Sequence, residues 1–393
     1  MPKKVLSHNL AEGIRIHQAF VAASKQQSPV VVKLGSIPWP SGLAPQPAAL
    51  GNYKAGQTIT GALNAKADAL IILYTETETQ ALLDVFTGDN EWSASRRKQW
   101  CAYAHNFAKF KPKIGGIGGS AVLKLGLFGY LSAVKIGPKT VVLFKSELHP
   151  KEDGTQLPFI GVIQQLVSEL NPTLVISTGT AGAIGSAIQC GDVAIASSAR
   201  FHLADHYPAY PDLNLMSANH DQLTNAATVN PQYVNYAATH LTQLSQAGLS
   251  QCHSKLQALG GFSFVKASNA PPKIYVTGTN PVPPPQPMDV VSADYMTVDD
   301  QNNLEGLESL GMMNETDDAF AFYAINNMKG KKPKWLSIRN ASEPQIDHQF
   351  PSGTSSAAVS KELGNLGGTI YAIYQYCTTL NSAFACWGVV AGM

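Results

Sequence analysis

From Leu363 to Met393 the chain runs for 31 residues without a charged side chain, and no feature restricts its fold more. As a helix rising about 1.5 Å per residue, such a run would outreach the roughly 30 Å hydrocarbon layer of a bilayer. It must be hidden, in lipid or inside protein. Asn365, Gln375, Thr378, Thr379, Asn381 and Ser382 dilute it, and no basic residue follows as an anchor. Polar side chains without partners are costly in lipid. The run therefore reads as a buried terminal helix rather than a membrane segment, and a core large enough to receive it is needed. With 45% hydrophobic and 14% charged residues among 393, the chain can supply one.

Upstream, apolar runs alternate with helical patterns, which points to strands and helices in an α/β layer sandwich. Residues 1–65 read as an N-terminal extension with a helix over Leu10–Ser24, a strand-like VVVKL (Val30–Leu34) and a Pro/Gly-rich connector. The main domain, 66–393, opens with the buried-strand candidate ALIILY (Ala69–Tyr74) and a helix near Glu78–Phe86. β-type segments are expected over 113–145 and a helix over Leu157–Leu170, stopped by Asn171-Pro172. Then come the strand Thr173–Thr178, a glycine-rich turn and the strand Asp192–Ser197. An insertion around 212–287 carries an amphipathic helix near Pro231–Gln246. The last third gives the strand Val290–Ala293, a helix over 315–328, the strand Lys334–Arg339 and the terminal helix.

The formal net charge is +1 with scattered lysines, so no basic face offers itself to nucleic acid or anionic membrane. A small-molecule substrate is the expectation. Five cysteines at irregular spacing without CxxC give neither a disulfide nor a zinc framework. The N-terminus lacks the apolar run of a secretory signal, so a cytoplasmic protein is expected.

Two glycine clusters invite a phosphate or nucleotide reading. GGIGGS (Gly115–Ser120) follows no clear strand and precedes β-like sequence, so the dinucleotide context fails and a bulge or hairpin fits better. STGTAGAIG (Ser177–Gly185) follows an apolar strand, where small residues let backbone amides approach a ligand. His202, Asp205 and His206 form an HxxDH set, but the two histidines would share a face only on a helix. No G-x-S-x-G occurs to suggest a serine hydrolase.

The segment LVISTGTAGAIGSAIQCGDVAIAS (Leu174–Ser197) resembles the signature of the purine nucleoside phosphorylase/methylthioadenosine–S-adenosylhomocysteine nucleosidase superfamily, in which a TGxAG-like turn precedes GDVVI. Three more segments follow in that family's order. IILYTETETQALLDVF (Ile71–Phe86) is similar to its first strand and helix, and VVSADYMTV (Val290–Val298) to its VSGDxF segment. MNETDDAFAFYA (Met313–Ala324) with WLSIRNASEP (Trp335–Pro344) is similar to its MEMEAAA helix and VRxISD strand. The resemblance spans roughly residues 68–390 and leaves the extension unexplained. It implies a three-layer α/β/α sandwich with a mixed, partly barrel-like central sheet, and commonly a homo-oligomer, here a homodimer. No cofactor or metal is implied.

Cleaving a ribosyl C1′–N bond builds positive charge on the sugar and negative charge on the base, so a site needs an acid for the base, a carboxylate near the sugar and a placed nucleophile. The resemblance implies Glu343, beside Ser342, as the acid, with Arg339 organising its loop or simply pairing on the surface. Glu315, beside Asn314, would grip the ribose hydroxyls. Glu78 would polarise water, Thr180, Ala181 and Gly182 would border the substrate, and Tyr295 or Met296 would pack on the base. Each acid has a plainer reading: Glu78 and Glu315 as helix-start carboxylates, Glu343 as a loop carboxylate. Glu343 is one methylene longer than the family's Asp, and Met313 replaces the first of two acids in the helix motif. A displacement of about 1 Å can cost about a hundredfold in rate.

Phosphorolysis would need cations for a phosphate dianion. The chain has only five arginines, Arg15, Arg96, Arg97, Arg200 and Arg339, and Ser177 stands where phosphorylases carry one. The acidic YTETET would repel phosphate, although Lys145 and Thr180 could assist it. The expectation is hydrolysis of a purine nucleoside or a 5′-substituted relative. A phosphate-dependent phosphorylase and a catalytically weak nucleoside-binding protein are the alternatives.

Overall fold

The computed structural model describes residues 10–89, 92–115, 121–150, 158–202, 222–267, 270–277, 289–293, 298–300 and 307–393. Helix α1 (Leu10–Ser24) precedes two short strands, β1 (Gln46–Ala48) and β2 (Thr58–Ile59). Next come β3 (Ala69–Leu73), α2 (Glu76–Thr87), the single turn α3 (Ala94–Arg97), β4 (Cys101–Tyr103), and the short helices α4 (Phe107–Phe110) and α5 (Ala121–Leu125). The antiparallel pair β5 (Gly129–Ile136) and β6 (Lys139–Ser146) leads to α6 (Pro158–Leu170), β7 (Leu174–Ala183), β8 (Val193–Ala196) and β9 (Ser198–His202). Then follow β10 (Gln222–Thr224), α7 (Pro231–Tyr236), α8 (Gln246–Gln257), β11 (Ile274–Val276) and β12 (Val290–Ala293). The described chain ends with β13 (Met313–Glu315), α9 (Asp318–Asn326), β14 (Lys334–Glu343) and α10 (Ser356–Ala391).

One mixed sheet joins the strands in the order β10-β9-β12-β13-β7-β3-β6-β5-β4-β2. β7 is the hub. Its first half pairs with β3 in parallel, its end with β13 in antiparallel, and its length with β14. β14 passes the sheet on to β8, which continues beyond Ser197 as β9. Among the described strands the sheet does not close.

Side chains alternate along a strand, and both faces of the sheet are buried. Ala69, Ile71 and Leu73 of β3 pack with α2 and α10, while Leu70 and Ile72 pack with α6 and α9. Helices thus cover both faces, and the α/β/α layering holds. The second core includes Phe322 stacked on Trp335, ring centroids 3.9 Å apart.

The charge-free C-terminal run is the body of α10, a 36-residue helix buried along most of its length. Its polar residues reach protein partners: Asn381 donates to the Gly191 carbonyl at 3.1 Å, and Ser382 accepts from Asn340 at 2.9 Å. Among the described residues no helix is long and apolar enough to cross a membrane.

Several boundaries differ from the sequence reading. Val30–Leu34 is not a strand: it lies against α10, with Val30 N–H bonded to the Ile373 carbonyl, so its in-and-out pattern faces a helix and not a neighbouring strand. The β-like stretch beginning at 113 contains the helical turn α5. Gly116–Ser120, most of the GGIGGS cluster, lies outside the described residues, and the described chain resumes after it as helix. The helix from Pro231 passes through a wide turn at Ala237–Leu241 and a tight one at Thr242–Ser245 before α8. Most importantly, the glycine-rich turn is strand: β7 runs through Ser177–Ala183.

Candidate active site

Small residues are needed in β7 because a carboxylate lies against its backbone. Gly179 has φ +144°, and a Cβ there would sit 2.3 Å from a Glu78 carboxylate oxygen. Glu78 comes from the first turn of α2, where Thr75 and Glu78 form a reciprocal capping box. Its Oε2 accepts from the Tyr74 and Thr75 amides at 3.1 and 2.9 Å. Its Oε1 accepts from the Thr180 amide at 2.8 Å and the Thr180 hydroxyl at 2.7 Å. The helix-start reading of Glu78 is correct, and Glu78 also reaches the site.

Behind β7 lies a buried ion cluster. Arg339, 2% exposed, is no surface residue: its Nε meets Asp318 Oδ2 at 3.0 Å and its Nη2 meets Asp318 Oδ1 at 2.5 Å. It also donates to the Thr180 carbonyl at 3.1 Å and pairs with Glu315 at 3.2 Å. Burial opposes its charge, but Asp318 and Glu315 outweigh this and keep it firmly protonated. Ser177 and Ser337 donate to Asp318 as well. Glu315 is the last residue of β13, not the start of a helix; α9 begins at Asp318 because the Glu315 carboxylate itself receives the Asp317 and Asp318 amides, at 2.5 and 2.7 Å. Burial, then the negative charge of Asp318, pushes its pKa up.

Glu343 is held quite differently. It ends β14 just past a break in register between Ala341 and Glu343, so it is a strand residue and not a loop carboxylate. Such a bulge turns side chains out of strict alternation. Its described side-chain partner is Ser342, which donates to it. Burial raises its pKa from the ordinary 4.5 to about 7.

These residues share a cavity of about 270 Å³. Glu78, Thr180, Ala181, Gly182, Asn314, Glu315, Arg339, Ser342 and Glu343, all expected from sequence, line it together. Tyr295 and Met296 lie outside the described residues. Asn314 Nδ2 and Asp317 Oδ1 are buried, belong to lining residues and have no hydrogen-bond partner among the described residues. Buried polar atoms of that kind call for a ligand or water.

Sequence reasoning missed Tyr74, His149, Asp317, Tyr371 and the α1 residues His17, Phe20, Val21 and Ser24 as lining, and Asp318 behind it. Asp317 and Asp318 stood in the MNETDD segment directly after Glu315. Tyr371 sits in the charge-free run, where it reads as core, and nothing in the extension pointed to a site. Lys145 does not line the cavity; it pairs with Glu147 at 2.9 Å. His202 is buried at the end of β9, whereas Asp205 and His206 lie outside the described residues, and no metal-binding cluster occurs among the described residues. The five cysteines are free thiols.

Residues 129–287 match the sequence model of the Phosphorylase superfamily, in agreement with the resemblance above. Solved structures similar to the chain include the 5′-methylthioadenosine/S-adenosylhomocysteine nucleosidase of Neisseria meningitidis in complex with methylthio-immucillin-A. It is 11% identical with a TM-score of 0.39, over 83% of this chain and 100% of that one. The futalosine hydrolase of Helicobacter pylori is 11% identical with a TM-score of 0.40, over 83% and 99%. The 5′-methylthioadenosine nucleosidase of Arabidopsis thaliana is 13% identical with a TM-score of 0.38, over 80% and 95%. A search of curated proteins finds no match.

Proposed function

We propose that the chain is a nucleosidase that hydrolyses the N-glycosidic bond of a purine nucleoside or a 5′-substituted relative. The observation that carries this reading is Glu343, a buried carboxyl whose pKa is raised to about 7, in one cavity with Glu315, Arg339 and the unpartnered atoms of Asn314 and Asp317. An acid with a pKa near the working pH transfers its proton most effectively. Glu343 protonates a base nitrogen as the C1′–N electron pair departs with the base. The ribose hydroxyls lie at Glu315, whose carboxylate is already held by the Asp317 and Asp318 amides, Ser292 and Arg339, and they bond to Asn314 Nδ2 and Asp317 Oδ1 beside it. Water held by the Thr180 hydroxyl, which Glu78 fixes in place, bonds to C1′ and releases its proton to solvent. The products are free base and free sugar.

Water is favoured over phosphate because the cationic groups are already occupied. Arg339 is engaged by Asp318, Glu315 and the Thr180 carbonyl, Lys145 by Glu147, and Ser177 by Asp318. Among the described lining residues Arg339 is the one permanently charged cation. The test is base release from a panel of purine and pyrimidine nucleosides with and without phosphate. Free ribose in phosphate-free buffer is expected; release only with phosphate, as ribose 1-phosphate, would replace this reading with a phosphorylase. Binding without release would make the chain a nucleoside-binding protein.

A further inference from the structure

Helix α1 lies outside the matched stretch 129–287, yet His17, Phe20, Val21 and Ser24 line the cavity. Their spacing puts them on one helical face. What lowers that face onto the site is a glycine stripe in α10. A Cβ on Gly364 would stand 2.4 Å from the Ile16 carbonyl oxygen, and one on Gly368 2.3 Å from the Phe20 carbonyl oxygen. Glycine at these two positions lets the two helix backbones touch. Ser360 donates to Glu12 at 2.7 Å and fixes the other end of the crossing. Tyr371, three residues beyond Gly368, lies with its ring 5.2 Å from that of Phe20 and lines the same cavity as Thr75, Glu78 and Thr180.

We propose that α1 is the wall that selects the 5′ group of the substrate, with Phe20 setting how large a group can enter. The proposal rests on the nucleoside reading. With the base at Glu343, the ribose hydroxyls at Glu315 and the face of C1′ at Thr180, the 5′ carbon is the part of a nucleoside left without a partner. Of the lining residues without a role, the face of α1 supplies the largest set from one element. Phe20 and Val21 offer it apolar surface, and His17 and Ser24 offer polar groups. A cavity of about 270 Å³ lies just below the range of about 300–1,000 Å³ common for small-molecule pockets. The substrate class is a nucleoside with a 5′-hydroxyl or a short apolar 5′ substituent, bulky substituents being disfavoured.

The experiment measures kcat/KM and calorimetric binding for the purine nucleoside that the wild type prefers and for its 5′-benzylthio derivative, in wild type, Phe20→Ala, Phe20→Leu and Gly368→Ala. The wild type is expected to favour the small substrate. Phe20→Ala should narrow that preference by about tenfold or more, since one methylene in an apolar pocket is worth about 10–200-fold. Phe20→Leu should fall between, and Gly368→Ala should act in the same direction by pushing the Phe20 backbone outward. Should Gly368→Ala fail to fold, the Phe20 series still decides. A preference unmoved by Phe20→Ala, or a wild type that favours the bulky substrate, overturns the role of α1 and leaves the nucleosidase reading standing. A wild type that neither binds nor cleaves any nucleoside overturns both.

Discussion

Glu78 and Glu343 border the same cavity, one from the first turn of α2 and the other from the end of β14, and their surroundings differ in kind. Glu78 receives three backbone amides and a hydroxyl, which engage all of the about four lone-pair sites that a carboxylate offers. Glu343 has the Ser342 hydroxyl, and burial lifts its pKa to about 7. The Arg339–Asp318–Glu315 cluster resembles the Glu78 side, with donors and acceptors meeting in a buried network. A saturated carboxylate fixes geometry, here by tying α2 to β7. One left with few partners and a raised pKa can gain and lose a proton. The cavity therefore has a framework side and a chemical side.

The comparison is broken most directly at Glu343. Glu343→Gln keeps the shape and removes the acid, so kcat should fall by about 10²–10⁴-fold, the usual contribution of general acid catalysis. Calorimetric nucleoside binding should persist, and undiminished turnover would falsify the assignment. On the framework side, Arg339→Met leaves Asp318 and Glu315 buried without their cation. Breaking a buried pair in this way costs about 3–5 kcal/mol, which urea unfolding would detect. A variant as stable as the wild type would mean that the cluster does not hold the site together.

Much of this arrangement was legible in the sequence, and for stated reasons. Apolar strands and their order are encoded locally, so β3, the first half of β7, β12 and α10 fell where the pattern placed them. The MNETDD segment placed Glu315, Asp317 and Asp318 within a few residues of one another, IRNASEP placed Arg339 close to Glu343, and pairing of β13 and β14 with β7 brings the two sets together. What was not legible depends on contacts distant in sequence. Gly179 looked like a turn residue because glycine serves turns and close approach equally well, and only the position of Glu78 distinguishes the two. The role of α1 depends on Gly364 and Gly368, about 350 residues further along the chain. Asp318 reads as a surface acid until β7 and β14 bring Ser177, Ser337 and Arg339 to it.

The pH dependence sharpens the contrast further. Glu343 binds its proton more tightly in the folded chain than at its ordinary 4.5, so it favours folding fully below about that pH. This contribution is lost as pH rises through about 7. At about 1.4 kcal/mol per unit the loss amounts to about 3 kcal/mol at most. Asp192 and Asp299 are also raised by burial, to about 6 and about 7, so the informative quantity is a difference between two proteins. The stability of Glu343→Gln relative to wild type should increase between pH 4.5 and 7 and level off above. In the wild type, kcat/KM should fall about tenfold per pH unit above about 7, as the acid loses its proton. A flat difference in urea unfolding across that window would remove the raised pKa from the account.

Glu78→Gln is the smaller and more discriminating change. An amide has one oxygen where the carboxylate had two, so its NH₂ group must face either the Tyr74 and Thr75 amides or the Thr180 amide and hydroxyl. Donors would then meet donors at one end of the side chain. The cost of leaving such groups unsatisfied is about 1–3 kcal/mol, measurable by thermal or urea unfolding. Turnover should decline through the loosened Thr180, but by less than in Glu343→Gln, because in this account Glu78 acts on water only through that hydroxyl. If instead turnover falls as far as in Glu343→Gln while stability is unchanged, Glu78 takes the water's proton itself. It would then have to give up a backbone donor when substrate binds, and the division of the cavity into a framework side and a chemical side would hold only for the empty site.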